Sequence, residues 1–363
     1  MYGCESHRKE RIIMAILERV VIHNFRNIPN KEIVLFGKNV ISGPNMSGKT
    51  NTLNAIHWAF TGVTLEGSSD NRANFPLEGE ETTSVTLDFG SFKFERVCEM
   101  VDGSPTVSIL IDGDKAKTVK NGEAILHSKL GLSDIILTQP KDFNIVRFLI
   151  DPLYFDTISP SALRKFLYML SNTNFFELAN DQIASVQRLL QEREIYDPYK
   201  LGEALAKDKK AIKKTIDGCK VARDLFPSIK EEADQKEKEQ NKLLKSIEAD
   251  EAIAEKYALS VSKHINKYYE KAMGIKVCLL EKGVGDGVFK DVCYPILPKS
   301  GLAFHLGSQA EKTFVGMKFI LEVCLTYNIK PLPILLDNME SLDEHTQYYV
   351  DNLGVQYIGA LVE

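Results

Sequence analysis

The sequence predicts an α/β protein in which an antiparallel β-subdomain and a helical insertion divide one parallel-sheet core. Three observations predict it. Gly43-Pro44-Asn45-Met46-Ser47-Gly48-Lys49-Thr50 fits G-x-x-x-x-G-K-[ST]. Far downstream, Pro333-Ile334-Leu335-Leu336-Asp337 is an apolar strand that ends in a carboxylate, as at the ligand-binding edge of an open α/β sheet. Between them, residues 159–273 turn to helical composition.

In chain order, residues 1–13 read as an extension. Residues 16–22 are the first clear strand and 32–36 the second, with the polar segment Asn24-Phe25-Arg26-Asn27-Ile28 between them. Residues 38–42 form a short strand entering the P-loop. From Gly48 the chain turns helical, with Leu53, Ile56 and Phe60 on one face and Gly62 just past the end. The glycines let the backbone wrap closely, so that N–H groups and a helix N-terminus face an anionic phosphate. Lys49 is expected to hold the β and γ phosphates, and Thr50 to ligate Mg²⁺ through its hydroxyl. Asp337 is expected to hold the same ion through water.

Residues 63–82 are a loop. Alternation from 84 to 118, with turn signals at Gly90-Ser91, Asp102-Gly103 and Asp112-Gly113, predicts an antiparallel meander. Ser159-Pro160 is an N-cap and N1 pair that opens the helical region. That region is broken at Tyr196-Asp197-Pro198 and again at Phe226-Pro227. Its apolar seam over 228–250 is thin and carries no sustained heptads, so a helical arm of roughly 45 residues reaching about 70 Å is expected, not a long coiled coil. A strand at 275–280, a helix at 309–327, a buried strand at 332–336 and a last strand at 355–362 complete the chain. The domain reading is 1–158 and 274–363 as two halves of one head, with 159–273 inserted.

Bulk properties restrict the partners. The chain has 363 residues, 44% hydrophobic and 26% charged, with net charge −5. That supports a large core and argues against a strongly basic DNA coat, while leaving room for a local basic face. Lys207, Lys209, Lys210, Lys213, Lys214 and Lys220 form the densest basic segment, read either as a DNA contact or as a solvated helix face. The six cysteines are scattered without a C-x-x-C, which rules against a zinc hook and suits a reducing compartment. The most apolar stretch, 317–336, is interrupted by Lys318, Glu322 and Lys330, and no signal-peptide core is present. A cytoplasmic protein without a membrane segment is expected.

Ser308-Gln309-Ala310-Glu311 supports two readings of one geometry. It is a capping box for the helix that follows, and it is a helix N-terminus with a hydroxyl that can be aimed at a γ-phosphate.

These pieces in this order resemble the SMC/RecF/SbcC-type branch of ABC ATPase heads, SbcC-like proteins of phages and bacteria in particular. The residues that carry the resemblance are Asn24 to Asn27, Gly43 to Asn51, the helical insertion, Gly307 to Lys312, and Ile334 to Asp343. It covers about 16–62, 148–170 and 300–363 and reaches the middle only as composition. The resemblance implies an ABC-type head that binds ATP and Mg²⁺ and forms an ATP-dependent homodimer, in which Ser308 of one head meets the γ-phosphate held by the other. It also implies action on DNA in double-strand-break processing, repair or recombination, with an SbcD-like nuclease as partner. Arg26 and Asn27 match the family's nucleotide-contacting loop, and the same residues read equally as a polar turn. Gln139 matches the metal-contacting glutamine by identity, and Asp151 matches it better by spacing.

The sequence also departs from the pattern. Gly307, Gln309 and Ala310 replace the usual signature residues Leu and Gly-Gly. Asn338 stands where a catalytic Glu follows the strand aspartate, leaving Glu340 as the nearest carboxylate. Glu340 is either the hydrolytic carboxylate or a cap for Ser341-Leu342-Asp343. The switch histidine expected after the last strand is missing, and a truncated sequence is one reading of that. Two other functions are weighed against slow hydrolysis on DNA. One is an ATP-sensing regulator of phage or anti-phage type with little hydrolysis. The other, a different P-loop enzyme such as a nucleotide or small-molecule kinase, is disfavoured by the distant Asp337 strand and the Ser308 helix before it.

Overall fold

The computed structural model describes residues 17–75, 81–283 and 287–362. The chain divides into two compact units, Met1–Ile158 with Phe304–Glu363, and Ser159–Ala303. The extension at 1–13 and the expected strand start at residue 16 lie outside the described residues.

The first unit begins with a hairpin of β1 (Arg19–Phe25) and β2 (Ile28–Val34). β1 lies three residues later than its apolar run suggests. Cross-strand pairing explains the shift, because His23 is matched to Asn30 on one side and to Ser84 on the other. The strand therefore continues through polar residues that periodicity alone would end on. Arg26 turns the corner with φ 52°. β3 (Lys38–Gly43) feeds the P-loop, and α1 (Lys49–Thr61) follows, closed by Gly62 at φ 76°.

β4 (Thr82–Asp88), β5 (Lys93–Val101), β6 (Ser104–Ile111) and β7 (Asp114–Lys115) form the expected meander. Its turns fall at the Gly90, Asp102-Gly103 and Asp112-Gly113 signals, each with positive φ. The N-terminal hairpin joins it in one antiparallel sheet of order β2-β1-β4-β5-β6-β7. Three short helices follow, α2 (Val119–Lys129), α3 (Ser133–Thr138) and α4 (Ile145–Ile150).

The second unit is mostly helical: α5 (Pro160–Leu170), α6 (Phe175–Asn180), α7 (Ala184–Arg193), α8 (Pro198–Leu225) and α9 (Lys230–Met273). Ser159 caps α5 with Pro160 in its first turn, as the sequence indicates. The breaks at Pro198 and Pro227 separate α7, α8 and α9, and α8 and α9 fold back on each other as a hairpin. The arm is therefore bounded by the 28 residues of α8, about 42 Å, although α9 alone has 44. Polar ties supplement its thin apolar seam. Lys209 meets Glu251 at 2.8 Å, and Arg223 meets Glu237 at 3.0 Å.

This unit also extends past Met273 to Ala303 and takes in β8 (Lys276–Cys278), β9 (Glu281–Lys282), β10 (Phe289–Lys290) and β11 (Tyr294–Ile296). The sequence reading places these residues in the head. They stay with the helices because Asn266 of α9 bonds both N–H and C=O of Val277, at 2.7 and 3.0 Å.

The chain returns to the first unit with α10 (Gln309–Thr326), β12 (Ile334–Leu336), α11 (Glu344–Asn352) and β13 (Tyr357–Val362). The Asp337 strand and the P-loop strand share a parallel sheet, as expected, but β13 lies between them in the order β12-β13-β3. The register pairs Val362 with Gly43, which brings the end of β13 beside the P-loop. α1 touches strands of both sheets, and its residues 52–60 are all buried, as befits a central helix. Within this unit α10 approaches the chain at Pro152 so closely that a Cβ on Gly316 would stand 1.9 Å from Pro152 O. Backbone on both sides leaves no room to yield. Gly316→Ala is expected to destabilise the protein by about 3 kcal/mol, read as a lowered denaturant midpoint at unchanged m-value. A midpoint equal to wild type would show that α10 does not pack this closely.

Candidate nucleotide site

The C-terminal ends of β3, β12 and β13 open on a cavity of about 350 Å³. Its walls are Asn27 from the hairpin turn, Asn45, Met46 and Gly48–Asn51 from the P-loop, Asp337 and Asn338 after β12, and Ala360 and Val362 of β13. Gly48 is required here. It sits at φ 85°, and a Cβ would lie 3.3 Å from Asn27 Oδ1. Met46 also takes a positive φ, 67°, and points out from the loop at 97% exposure. Because Gly48 caps α1 without a side-chain acceptor, the first-turn N–H groups remain open to an anion.

The charged groups around the cavity are paired internally. Lys49 curls onto its own loop, donating to Gly43 O at 2.7 Å and Pro44 O at 2.6 Å. Thr50 Oγ1 donates to Asp337 Oδ1 at 3.1 Å. Burial holds the Asp337 carboxyl above its ordinary range, against the opposing bonds from Thr50 and the Asn338 backbone. A hydroxyl and a desolvated carboxylate side by side form an oxygen donor pair suited to a hard divalent cation. Arg26 donates to Asn51 Oδ1 at 3.0 Å, and Asn51 donates to Asn27 Oδ1 at 2.7 Å. The hairpin turn is thus fastened to the first turn of α1. Glu66 joins it, 3.5 Å from Arg26 and bonded to Asn54 at 2.9 Å. Burial raises the Glu66 carboxyl, but hydrogen bonds from Thr64 and Asn54 and the Arg26 charge together hold it below the usual range.

The other sequence-selected residues fall in different places. Ser308 is the exposed N-cap of α10, and its Oγ accepts from Glu311 N–H at 3.3 Å. It is not among the residues lining the cavity. Asn338 lines the cavity in a left-handed conformation, φ 54°. Glu340 does not line it, and its Oε2 accepts from Val362 N–H at 3.3 Å. Gln139 ends α3, accepts from Ile145 N–H at 2.9 Å, and lines a separate cavity with Phe60 and Tyr154. Asp151 ends α4, accepts from Leu153 N–H at 2.9 Å and stands 3.7 Å from Arg147. Of the four residues read as metal ligands, the cavity gathers Thr50 and Asp337, and neither Gln139 nor Asp151 lines it. Sequence reasoning missed Ala360 and Val362 as walls. The parallel register of β13 against β3 brings them there, and no local sequence pattern marks that pairing. It missed Glu66 and Asn54 as well, and no spacing marks those two.

Burial raises the Asp151 carboxyl to about 6, partly opposed by Arg147. An acid whose folded value lies above its unfolded one destabilises the fold as it ionises. The penalty is absent below about pH 4, grows between 4 and 6, and is complete above 6, on the order of 3 kcal/mol. Asp151→Asn is expected to flatten that downward slope in melts taken across pH 4 to 7. An identical slope in the variant would remove Asp151 as its source.

The sequence profile of the AAA domain family (AAA_23) matches residues 19–258. Among curated proteins, the chain is similar to a DNA replication and repair protein RecF from Bacillus cereus (strain AH820), 24% identical over 93% of this chain and 88% of that one. Among solved structures it is similar to the Smc head domain of Pyrococcus furiosus bound to the C-terminal domain of ScpA, at TM-score 0.47 and 16% identity over 95% and 89% of the two chains. It is also similar to the ATP-bound recombination mediator protein RecF, at TM-score 0.45 and 18% identity over 96% and 93%. With its P-loop and a family profile that matches residues 19–258, the chain belongs to the AAA domain family.

Proposed function

We propose that this protein binds Mg·ATP at the P-loop cavity, dimerises head to head on ATP, and acts on DNA in repair or recombination within the cytoplasm. The observation that carries the reading is one cavity holding the uncapped N-terminus of α1, Lys49, and the Thr50–Asp337 pair. Lys49 exchanges the Gly43 and Pro44 carbonyls for the β and γ phosphates, while the first-turn N–H groups hold the α and β oxygens. Mg²⁺, held by Thr50 and through water by Asp337, neutralises phosphate charge when bound. Asn27 and Asn51 fix the rim of the site, and Arg26 supplies a further positive charge there.

Ser308 stands on an exposed helix N-terminus outside the cavity, which suits delivery to a second copy's nucleotide. Ser308→Arg is expected to give monomers that still bind ATP. Light scattering showing an ATP-dependent dimer of this variant would rule out the composite site.

The role on DNA is supported by the RecF relative's naming for replication and repair. Within the 207–220 basic segment Lys207, Lys210, Lys214 and Lys220 are exposed, whereas Lys209 is committed to Glu251. An SbcD-like nuclease is the partner this role calls for. A second reading, an ATP sensor with little hydrolysis, is favoured by one observation. The residue that lines the cavity just after Asp337 is the amide Asn338, not a carboxylate.

A further inference from the structure

Glu66 is linked through Arg26 to Asn51, a wall residue of the nucleotide site, and it sits on a loop that its neighbours hold. Thr64 N–H donates to Ser68 O at 3.0 Å and Gly67 N–H to Thr64 O at 2.9 Å, closing the turn. The fully buried Asn54 of α1 grips the loop twice, accepting from Leu65 N–H at 2.8 Å and donating to Glu66 Oε1 at 2.9 Å. From the other side Arg147 donates to Leu65 O at 3.0 Å. The Glu66 side chain is nonetheless 55% exposed, and its Oε1 lies 3.5 Å from Arg26 Nη1, the nitrogen that also donates to Asn51. An anion of the protein itself therefore faces the guanidinium at the first turn of α1.

We propose that Glu66 is a positioning residue for the nucleotide site: in the free protein it stands in for a phosphate, parking Arg26 against Asn51, and it yields the guanidinium to an incoming triphosphate. The proposal rests on the reading of the P-loop cavity as a triphosphate site. The exchange replaces one anion by another, so Arg26 is never without a partner and the nucleotide must outcompete the carboxylate. An exposed ion pair is weak and screened by salt, so the handicap it puts on ATP is a few-fold.

The test is calorimetric ATP affinity of wild type, Glu66→Gln, Glu66→Ala, Arg26→Ala and the Arg26→Ala/Glu66→Gln pair, at low and high salt. Glutamine removes the charge and keeps an acceptor for Asn54. Both Glu66 variants are expected to bind ATP about three-fold more tightly than wild type at low salt. The gain shrinks at high salt and is absent in the Arg26→Ala background. Unchanged or weaker binding by both Glu66 variants overturns the proposal. So does a gain of the same size without Arg26, because the effect would then be general charge removal. The triphosphate reading fails separately, when Lys49→Ala binds ATP as well as wild type does.

Discussion

Lys49→Ala is expected to weaken ATP binding on the order of 100-fold and to leave the fold in place. Lys49 is the basic residue among those lining the cavity, and its ammonium would make charge-assisted bonds to two phosphates, together worth about 3 kcal/mol after desolvation. In the free protein the same group is spent on the Gly43 and Pro44 carbonyls. Removing it therefore also costs those contacts, about 1 kcal/mol of stability, since the cavity lets water reach the loop. The two effects are separable by titration calorimetry and a thermal melt on the same sample. Binding at wild-type strength with an intact melt would mean that the phosphates sit elsewhere.

Much of this site was legible in the sequence because its parts are local. A P-loop needs its glycines at fixed offsets, and Gly48 adopts the positive φ that its spacing implies. The Asp337 strand was legible because three consecutive buried apolar residues, Ile334 to Leu336, end in a carboxylate. The expected turns of the meander occur at the Gly and Asp pairs that permit left-handed backbone. What sequence could not supply was partnership between distant segments. β13 lies between the Asp337 strand and the P-loop strand, and nothing in residues 357–362 says which neighbour they take. β1 is carried past its apolar run by pairing on both edges. The 274–303 segment reads as strand and hence as head, yet Asn266 fastens it to α9. Glu66 falls in a stretch whose composition says only loop. Its place beside Arg26 depends on the Asn54 contact from α1, a tertiary fact.

Wild-type ATP turnover should be slow, and Asn338→Glu should raise it about 100-fold. A water attacking the γ-phosphate needs a carboxylate to accept its proton or orient it, and a positioned base contributes about 10²- to 10⁴-fold. The residue that lines the cavity after Asp337 is Asn338, whose amide can orient water with its carbonyl oxygen but cannot take the proton near pH 7. Its left-handed backbone, φ 54°, suits asparagine better than glutamate, so the substitution carries some strain and its gain stays at the lower end of that range. Glu340 is the nearest carboxylate in sequence. Its Oε2 accepts from Val362 N–H at 3.3 Å, and Val362 itself is part of the cavity wall. A swing off that N–H would bring the carboxylate to the rim, and free-state geometry does not disqualify a base that tightens only on substrate. Glu340→Gln keeps an acceptor for Val362 and removes the base, so it separates the two roles. It should bind ATP as wild type does and lose most of the residual turnover. Equal turnover in Glu340→Gln would make Glu340 a strand-end cap for β13. No turnover in wild type, with activity appearing in Asn338→Glu, would favour the ATP-sensing reading. The amide beside Asp337 would then be what keeps bound ATP from being spent.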